Sequence, residues 1–285
     1  MRLVRFSKDG AAAQIGVLTG DKVVPVAALA PDAPQDMNAL IAAWDSVAPQ
    51  LADAASSGAG IALDAVTLAA PVPAPQKIPA IGLNYADHVE ETGMDTPAEQ
   101  VWFCKQPSAV NAPMGDIELP KASDQLDYEV ELVAVIGKGG RHISAEDAPN
   151  HVFGYAVGND VSVRDWQLKT AQWMLGKSFD THAPVGPAIV TADEIGDPHR
   201  LAIKSFVNGE LRQNSNTKHL IFTVWDQIAE LSQAMTLKPG DLIFTGTPGG
   251  VGLAMKPPSF LKAGDVVRCE IEELGAIENT VAAEA

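Results

Sequence analysis

Residues 126–132 read Leu-Asp-Tyr-Glu-Val-Glu-Leu, and apolar and acidic or polar side chains alternate through this stretch. Because successive side chains of a strand point to opposite faces, the pattern predicts a strand with Asp127, Glu129 and Glu131 on one face. Residues 133–136 are apolar at every position, as in a strand buried on both faces. Carboxylates that lead into a buried strand need a compensating cation. An exposed acidic edge is the alternative, but the buried continuation favours a hard divalent ion held by oxygen ligands.

A second apolar stretch, residues 152–160, is rich in glycine and ends at an acid, Asp160. This carboxylate is either a further metal ligand or a simple cap for the segment that follows. Arg164 and Gln167 come directly after it and extend the set of polar candidates.

Three further motifs carry polar groups. His88 and Glu91 stand three residues apart, a spacing at which helix side chains meet, so they form either a general base with its carboxylate or a surface pair. Lys177 follows an apolar stretch, where it either reaches solvent or stabilises negative charge near a metal. The loop 245–252 lacks the ending of a phosphate-binding P-loop; it is a tight turn or an anion-binding nest.

Composition limits the class of protein. The chain has 285 residues and a net charge of −16, which argues against nucleic acid or anionic membranes as partners. No apolar run is long enough to span a bilayer, and the first residues lack the pattern of a secretion signal. Two cysteines show no metal-binding spacing. We therefore predict a soluble, cytoplasmic protein.

The chain divides at a proline-rich connector, residues 71–79. Before it, short strands are predicted at 2–6, 13–18 and 22–26, followed by a helix from Met37 that Pro49 ends. We predict a small N-terminal α+β domain over residues 1–70 and a β-rich main domain over 71–285. A later helix is predicted from Val224, with Thr223 as its N-cap.

Five motifs in order resemble the fumarylacetoacetate hydrolase family, over roughly residues 78–281. They are residues 82–88, 127–132, 159–165, 176–180 and 245–248. The resemblance implies a mixed β-roll main domain, within an α+β, β-rich fold, and a homodimer. Residues 269–275 are most similar to one subgroup of the family.

The resemblance also implies roles for ten residues. It implies one Mg²⁺ or Mn²⁺ per subunit, held by Glu129, Glu131 and Asp160. The implied catalytic residues are His88, Glu91 and Lys177, and the implied substrate-binding residues are Lys105, Arg164, Gln167 and Thr247. It assigns no role to Asp127.

The expected activity is hydrolysis of a C–C bond in a 2,4-dioxo acid, such as an acylpyruvate, a fumarylacetoacetate-like acid or a 2,4-dioxo sugar acid. The metal would act as Lewis acid and His88 as the base for the attacking water. One alternative is oxaloacetate decarboxylation or enol–keto tautomerisation on the same metal. Another is a β-rich domain in which the ion is purely structural.

Overall fold

The computed structural model describes residues 1–52, 60–93 and 95–285. Its strands are β1 Arg2–Ser7, β2 Gln14–Thr19, β3 Lys22–Pro25, β4 Ile61–Ala62, β5 Thr67–Ala69, β6 Ile78–Gly82, β7 Val101–Lys105, β8 Val110–Asn111, β9 Ile117–Leu119, β10 Leu126–Asp127, β11 Val130–Ile136, β12 Val152–Asn159, β13 Ser162–Val163, β14 Ala183–Thr191, β15 Ala202–Val207, β16 Glu210–Asn216, β17 Leu242–Phe244, β18 Val266–Ile271 and β19 Gly275–Ala283. Its α-helices are α1 Val26–Leu29, α2 Met37–Ala42, α3 Trp44–Leu51, α4 Ala86–Thr92, α5 Arg164–Gln167 and α6 Val224–Ala234.

The strands form one long sheet, one shorter sheet and a separate pair. The long sheet has the order β4-β3-β2-β1-β14-β12-β11-β17-β6-β7, with β5 paired to β1 and β8 to β14. The shorter sheet has the order β16-β15-β18-β19-β9, and β10 pairs with β13. The architecture confirms the predicted α+β, β-rich fold class.

Strand β11 is the centre of the core. Every residue from Val130 to Ile136 is buried, as the apolar run predicted. Leu132 and Ala134 pack in the cluster that includes the shorter sheet, while Val133 and Val135 pack with the N-terminal helices and strands. Glu131, the carboxylate within this strand, is therefore held on a fully buried element.

The predicted strand over residues 126–132 is interrupted, which corrects the sequence analysis. Tyr128 and Glu129 belong to neither β10 nor β11. The amide of Glu129 donates to Oδ1 of Asn159 at 3.0 Å, and the amide of Val130 donates to Oε1 of Gln213 at 3.0 Å. Side-chain oxygens replace the backbone partners of a regular strand here, so Asp127 lies on a different strand from Glu131.

The N-terminal strands follow the prediction, but the helix differs in two ways. Strands β1, β2 and β3 lie where they were expected, whereas the predicted helix is divided at Ala43 into α2 and α3, and Pro49 lies inside α3 and does not end it. Pro49 is the sixth residue of this helix, so its missing N–H removes one backbone hydrogen bond, the one to the carbonyl of Asp45, and the helix ends two residues later. β1 pairs with β14, so this segment extends the long sheet. The division into domains at 71–79 stays a prediction.

Helix α6 begins as predicted. The side chain of Thr223 accepts a hydrogen bond from the amide of Asp226, and the Asp226 carboxylate accepts one from the amide of Thr223. This reciprocal capping box satisfies two amides that the helix leaves unbonded. In the described part of the chain, no helix has the length and apolar character needed to cross a membrane.

Candidate active site

Three buried carboxylates meet where strands β11 and β12 pair. Glu129 immediately precedes β11, Glu131 is the second residue of that strand, and Asp160 follows the last residue of β12. The antiparallel register sets Val130 opposite Asn159, and the amide of Asp160 donates to the carbonyl oxygen of Glu129 at 2.8 Å. One oxygen from each of the three carboxylates lies within 4.8 Å of the others. The metal-ligand set that the resemblance implied is therefore assembled at one point.

Two lysines are buried against these carboxylates. Nζ of Lys177 lies 2.8 Å from Oε2 of Glu129 and 2.7 Å from Oδ2 of Asp160. Nζ of Lys105 lies 2.6 Å from Oδ1 of Asp160 and also donates to the carbonyl oxygen of Lys177. Glu131 differs, because its hydrogen bond comes from the amide of Gly246 at 2.8 Å and it forms no ion pair with a described residue.

The pKa values follow from this pairing. Burial opposes ionisation of Glu129, but the charges of Lys177 and Arg164 outweigh it and lower the pKa of this carboxyl to about 2. Burial raises the pKa of Glu131 well above its usual range, and the neighbouring Asp160 and Glu129 carboxylates act in the same direction. Burial lowers the pKa of Lys177, but Asp160 and Glu129 more than offset it and the pKa is raised overall. Glu131 is thus the carboxylate of the three that has no cationic side chain paired with it among the described residues.

The residues present fit a divalent cation. Asp127, Glu129, Glu131 and Asp160 supply four carboxylates, whereas the cations bonded to them are Lys105, Arg164 and Lys177. The three clustered carboxylates offer oxygen ligands only, which Mg²⁺ and Mn²⁺ prefer. A bound cation would compensate the charge on Glu131.

Arg164 links the metal-ligand set to Asp127. Its Nη1 lies 2.6 Å from Oε1 of Glu129 and donates to Oε1 of Gln167 at 2.8 Å, while its Nε donates to Oδ2 of Asp127 at 2.8 Å. Its Nη2 is buried and has no hydrogen-bond partner among the described residues. An unpartnered guanidinium nitrogen at a pocket wall is a donor for a ligand carboxylate.

His88 and Glu91 lie together on helix α4, as their spacing predicted. Nδ1 of His88 lies 3.6 Å from Oε2 of Glu91, an electrostatic contact slightly longer than a hydrogen bond. The same carboxylate oxygen accepts a hydrogen bond from the amide of Gly250 at 2.9 Å. The facing imidazole and this amide lower the pKa of Glu91, against a smaller opposing effect of burial. The pair is therefore positioned as an imidazole with an ionised carboxylate beside it.

The glycine loop binds carboxylates of the protein itself. Its amides at Gly246, Gly250 and Gly252 donate to Glu131, Glu91 and Asp127 respectively. Gly250 has φ +102°, and a Cβ atom there would lie 2.1 Å from the carbonyl oxygen of Arg212, so glycine is required. The loop therefore does not enclose a single anion; its separate amides fix three acidic side chains of the site.

Thr247 and a residue that the sequence analysis missed hold this loop to β11. Oγ1 of Thr247 donates to the carbonyl oxygen of Val130 at 2.9 Å and accepts from Nε2 of Gln213 at 2.8 Å. Gln213 is fully buried on β16, in a stretch of largely polar residues that reads as an exposed strand. The sequence gives no signal for its role, since its partners lie far away along the chain.

These residues line one pocket of about 590 Å³. Eight of the ten predicted site residues contribute to its wall, namely His88, Glu91, Glu129, Glu131, Arg164, Gln167, Lys177 and Thr247. Lys105 and Asp160 are fully buried beside them. The outer wall is largely apolar, with Leu168, Trp173, Leu253 and Met255, and it includes Lys256, which the sequence analysis did not single out.

Comparison with known proteins identifies the family. Residues 77–282 match the model described as fumarylacetoacetate (FAA) hydrolase C-terminal, and residues 1–71 match one described as Rv2993c-like, N-terminal. This chain belongs to the fumarylacetoacetate hydrolase family. Its members include hydrolases, isomerases and tautomerases, so the chain is an enzyme of this family and the reading as a purely structural domain is not retained.

One relative is the oxaloacetate tautomerase fahd2, mitochondrial, of Xenopus laevis, which is 47% identical over 99% of this chain and 90% of its own length. It confirms the subgroup predicted from residues 269–275, fumarylacetoacetate hydrolase domain-containing protein 2. The prediction of a cytoplasmic location was wrong by this comparison, because the relative is named as mitochondrial. Acidic charge and unpaired cysteines do not distinguish one reducing compartment from another.

Structural alignment with each of two solved structures covers 100% of both chains. Maleylpyruvate hydrolase of Sphingobium sp. SYK-6, in complex with manganese(II) and pyruvate, is 34% identical with a TM-score of 0.85. The 5-carboxymethyl-2-hydroxymuconate delta-isomerase of Mycobacterium smegmatis is 33% identical with a TM-score of 0.78. The fold thus supports more than one reaction, and the homodimer stays a prediction.

Proposed function

We propose that this enzyme is a divalent-metal-dependent oxaloacetate tautomerase, which interconverts the enol and keto forms of oxaloacetate. The observation that carries the proposal is the 47% identity to an oxaloacetate tautomerase over 99% of this chain. The assembly of the predicted polar side chains around one pocket supports it. The reaction that the sequence analysis placed second, as an alternative to C–C hydrolysis, is thus the better supported one.

Tautomerisation requires one proton to move between C3 and the 2-oxo oxygen, with no net gain or loss of atoms. Nδ1 of His88 faces Glu91, which leaves Nε2 for the substrate. Nε2 removes a proton from C3 of the keto acid, the C–H electron pair becomes the C2–C3 double bond as the π pair of the C2 carbonyl moves onto its oxygen, and the proton is then delivered to that oxygen. The ionised Glu91 stabilises the imidazolium that exists between the two transfers.

The remaining side chains bind and orient the acid. A divalent cation at Glu129, Glu131 and Asp160 would supply Lewis-acid stabilisation of the charge that develops on the 2-oxo oxygen. Nη2 of Arg164 is the free donor for the carboxylate next to that oxygen. Lys177 stays protonated between Glu129 and Asp160 and contributes positive charge to the pocket, while Gln167 and Thr247 complete its wall.

A second candidate is hydrolysis of a 2,4-dioxo acid, the reaction first predicted from the sequence. It is favoured by the 34% identity to a maleylpyruvate hydrolase over the full chain and by a pocket larger than a four-carbon acid fills. Hydrolysis uses the same His88, but it requires a water nucleophile that tautomerisation does not need.

The two candidates separate when enol-oxaloacetate and acetylpyruvate are assayed side by side with the Mg²⁺-loaded protein. We expect kcat/KM for ketonisation of the enol to exceed that for acetylpyruvate cleavage by about 100-fold or more. This ratio corresponds to a difference of about 2.8 kcal/mol in transition-state stabilisation. Faster release of acetate and pyruvate from acetylpyruvate would instead favour the hydrolase.

A matched pair of variants tests whether the activity belongs to this site. The double variant Glu129→Gln/Glu131→Gln should lose the metal-dependent activity. Glu146→Gln/Glu230→Gln removes the same charge at two exposed positions and should retain it. Equal activity of the two variants would contradict the assignment.

A further inference from the structure

Three cationic side chains line the pocket in the described part of the chain, and two of them are already engaged. Arg164 is bonded to Asp127 and Glu129, and Lys177 is bonded to Glu129 and Asp160. Lys256 is the third, and neither an ion pair nor a hydrogen bond of its side chain occurs among the described residues. It is the pocket's free positive charge.

The segment that carries Lys256 is tied to the site. The amides of Gly252 and Leu253 donate to the two oxygens of Asp127 at 2.8 and 2.9 Å. Oη of Tyr128 donates to the carbonyl oxygen of Gly250 at 3.0 Å. Lys256 therefore extends from a fixed stretch of backbone at the pocket rim, and only its side chain must be ordered when a ligand binds.

Lys256 is exposed at the pocket rim, and the pocket that it lines is largely apolar. Leu253, Met255 and Pro258 of the same segment line the pocket, and Leu168 and Trp173 line it as well. A carboxylate that leaves water for such surroundings needs a charged hydrogen-bond donor. Nη2 of Arg164 is assigned to the carboxylate beside the 2-oxo group, so Lys256 is the remaining cation among the described lining residues that can bind a second carboxylate without breaking an ion pair.

We propose that Lys256 binds the distal carboxylate of the substrate and makes the enzyme selective for dicarboxylic over monocarboxylic 2-oxo acids. This inference rests on the proposed function, because oxaloacetate carries a second carboxylate at C4. Arg164 then binds the carboxylate beside the 2-oxo group, and the flexible side chain of Lys256 binds the other carboxylate. Lys256 is a specificity-determining residue and takes no part in proton transfer.

The test compares oxaloacetate with 2-oxobutanoate, in which a methyl group replaces the distal carboxylate. Dissociation constants are measured for the Mg²⁺-loaded protein by tryptophan fluorescence, since Trp173 lines the pocket. In Lys256→Gln we expect the dissociation constant for oxaloacetate to rise about three- to fivefold, the upper range for an ion pair that stays exposed to solvent. The constant for 2-oxobutanoate should change less than about twofold, since its methyl group makes no such bond.

Two further variants complete the experiment. Lys256→Arg keeps the charge and should keep most of the selectivity, while Lys262→Gln removes an exposed lysine outside the pocket and should change neither constant. Equal effects of Lys256→Gln on both acids, or no effect on either, would overturn the proposal.

Turnover of enol-oxaloacetate by the wild type separates this inference from the proposed function. If the wild type binds oxaloacetate selectively and Lys256→Gln abolishes that selectivity, the role of Lys256 is supported. If the wild type at the same time does not turn over enol-oxaloacetate, the proposed tautomerase activity is refuted. Turnover without a selective loss in Lys256→Gln refutes the role of Lys256 alone. Failure of the wild type to bind oxaloacetate would refute both.

Discussion

Nε of Arg164 donates a 2.8 Å hydrogen bond to Oδ2 of Asp127, and both side chains are buried. The carboxylate of Asp127 also accepts from the amides of Gly252 and Leu253. Through these bonds Asp127 couples the guanidinium of Arg164, which lines the pocket, to the segment that forms the pocket rim. The residue to which the family resemblance assigned no role thus joins two walls of the pocket.

Replacement of Asp127 by Asn should destabilise the protein, because Arg164 keeps its charge and loses one of its two carboxylate partners. Breaking a buried ion pair typically costs about 3–5 kcal/mol of unfolding free energy. Denaturant unfolding of Asp127→Asn measures this loss, and Asp124→Asn at an exposed position nearby is the control. A loss below about 1 kcal/mol, the value of an exposed pair, would show that the contact is unimportant.

Glu129 and Glu131 should respond in opposite directions to replacement by Gln when no metal is present. Glu129 neutralises Lys177 and Arg164, so Glu129→Gln should lower the unfolding free energy by about 3 kcal/mol. Burial beside two carboxylates raises the pKa of Glu131, so its ionised form destabilises the metal-free fold at neutral pH, and Glu131→Gln should raise the unfolding free energy.

Unfolding in EDTA and with excess Mn²⁺ measures both effects. Mn²⁺ should stabilise the wild type strongly and Glu131→Gln little, since ligand binding to the folded state adds to its stability. A metal-free Glu131→Gln protein less stable than the wild type would contradict the charge balance described above.

His88 should be required for turnover and not for metal binding. His88→Gln should lower kcat for ketonisation by about 10²–10⁴-fold, the usual contribution of a general base. Its dissociation constant for Mn²⁺ should stay within about threefold of the wild-type value, because His88 is not one of the clustered carboxylate ligands. His219→Gln, at an exposed position, is the control. A kcat close to the wild-type value would exclude His88 as the base.

His182 should make stability depend on pH between about 6.5 and 4. Its side chain is buried next to the ligand-bearing strands, Nε2 bonds the carbonyl oxygen of Glu118 at 2.8 Å, and burial lowers the pKa of His182 to about 4. As pH falls through this window, the unfolded chain binds a proton that the folded chain does not, so the unfolding free energy decreases. The stabilisation present above pH 6.5 is thus lost towards pH 4.

The full size of this effect is about 3 kcal/mol, since each pKa unit corresponds to about 1.4 kcal/mol. Denaturant unfolding at several pH values should show a shallower decline for His182→Gln than for the wild type, with His219→Gln matching the wild type. Parallel curves for His182→Gln and the wild type would exclude this origin of the pH dependence.

Much of the candidate site could be predicted from local pattern. Alternation and a buried continuation placed Glu131 at the start of a core strand, and helical spacing placed His88 beside Glu91. These relationships depend on residues a few positions apart, and the geometry of strands and helices fixes them.

Other parts could not be predicted, because they depend on contacts between distant segments. The strand breaks at Tyr128 and Glu129 because Asn159 and Gln213 supply side-chain acceptors from other strands. Lys256 reads as an ordinary surface lysine until the anchoring of its segment by Asp127 places it at the pocket. Local sequence contains no signal for either arrangement.

The central claim is that the buried carboxylates hold a metal on which tautomerisation of oxaloacetate depends. It is tested most directly by the rate of enol-oxaloacetate ketonisation during titration of EDTA-treated protein with Mn²⁺. We expect activity to be absent at first, to rise in proportion to the Mn²⁺ bound, and to remain absent in Glu131→Gln at the same Mn²⁺ concentrations. Full activity in EDTA, or equal recovery by Glu131→Gln, would contradict the claim.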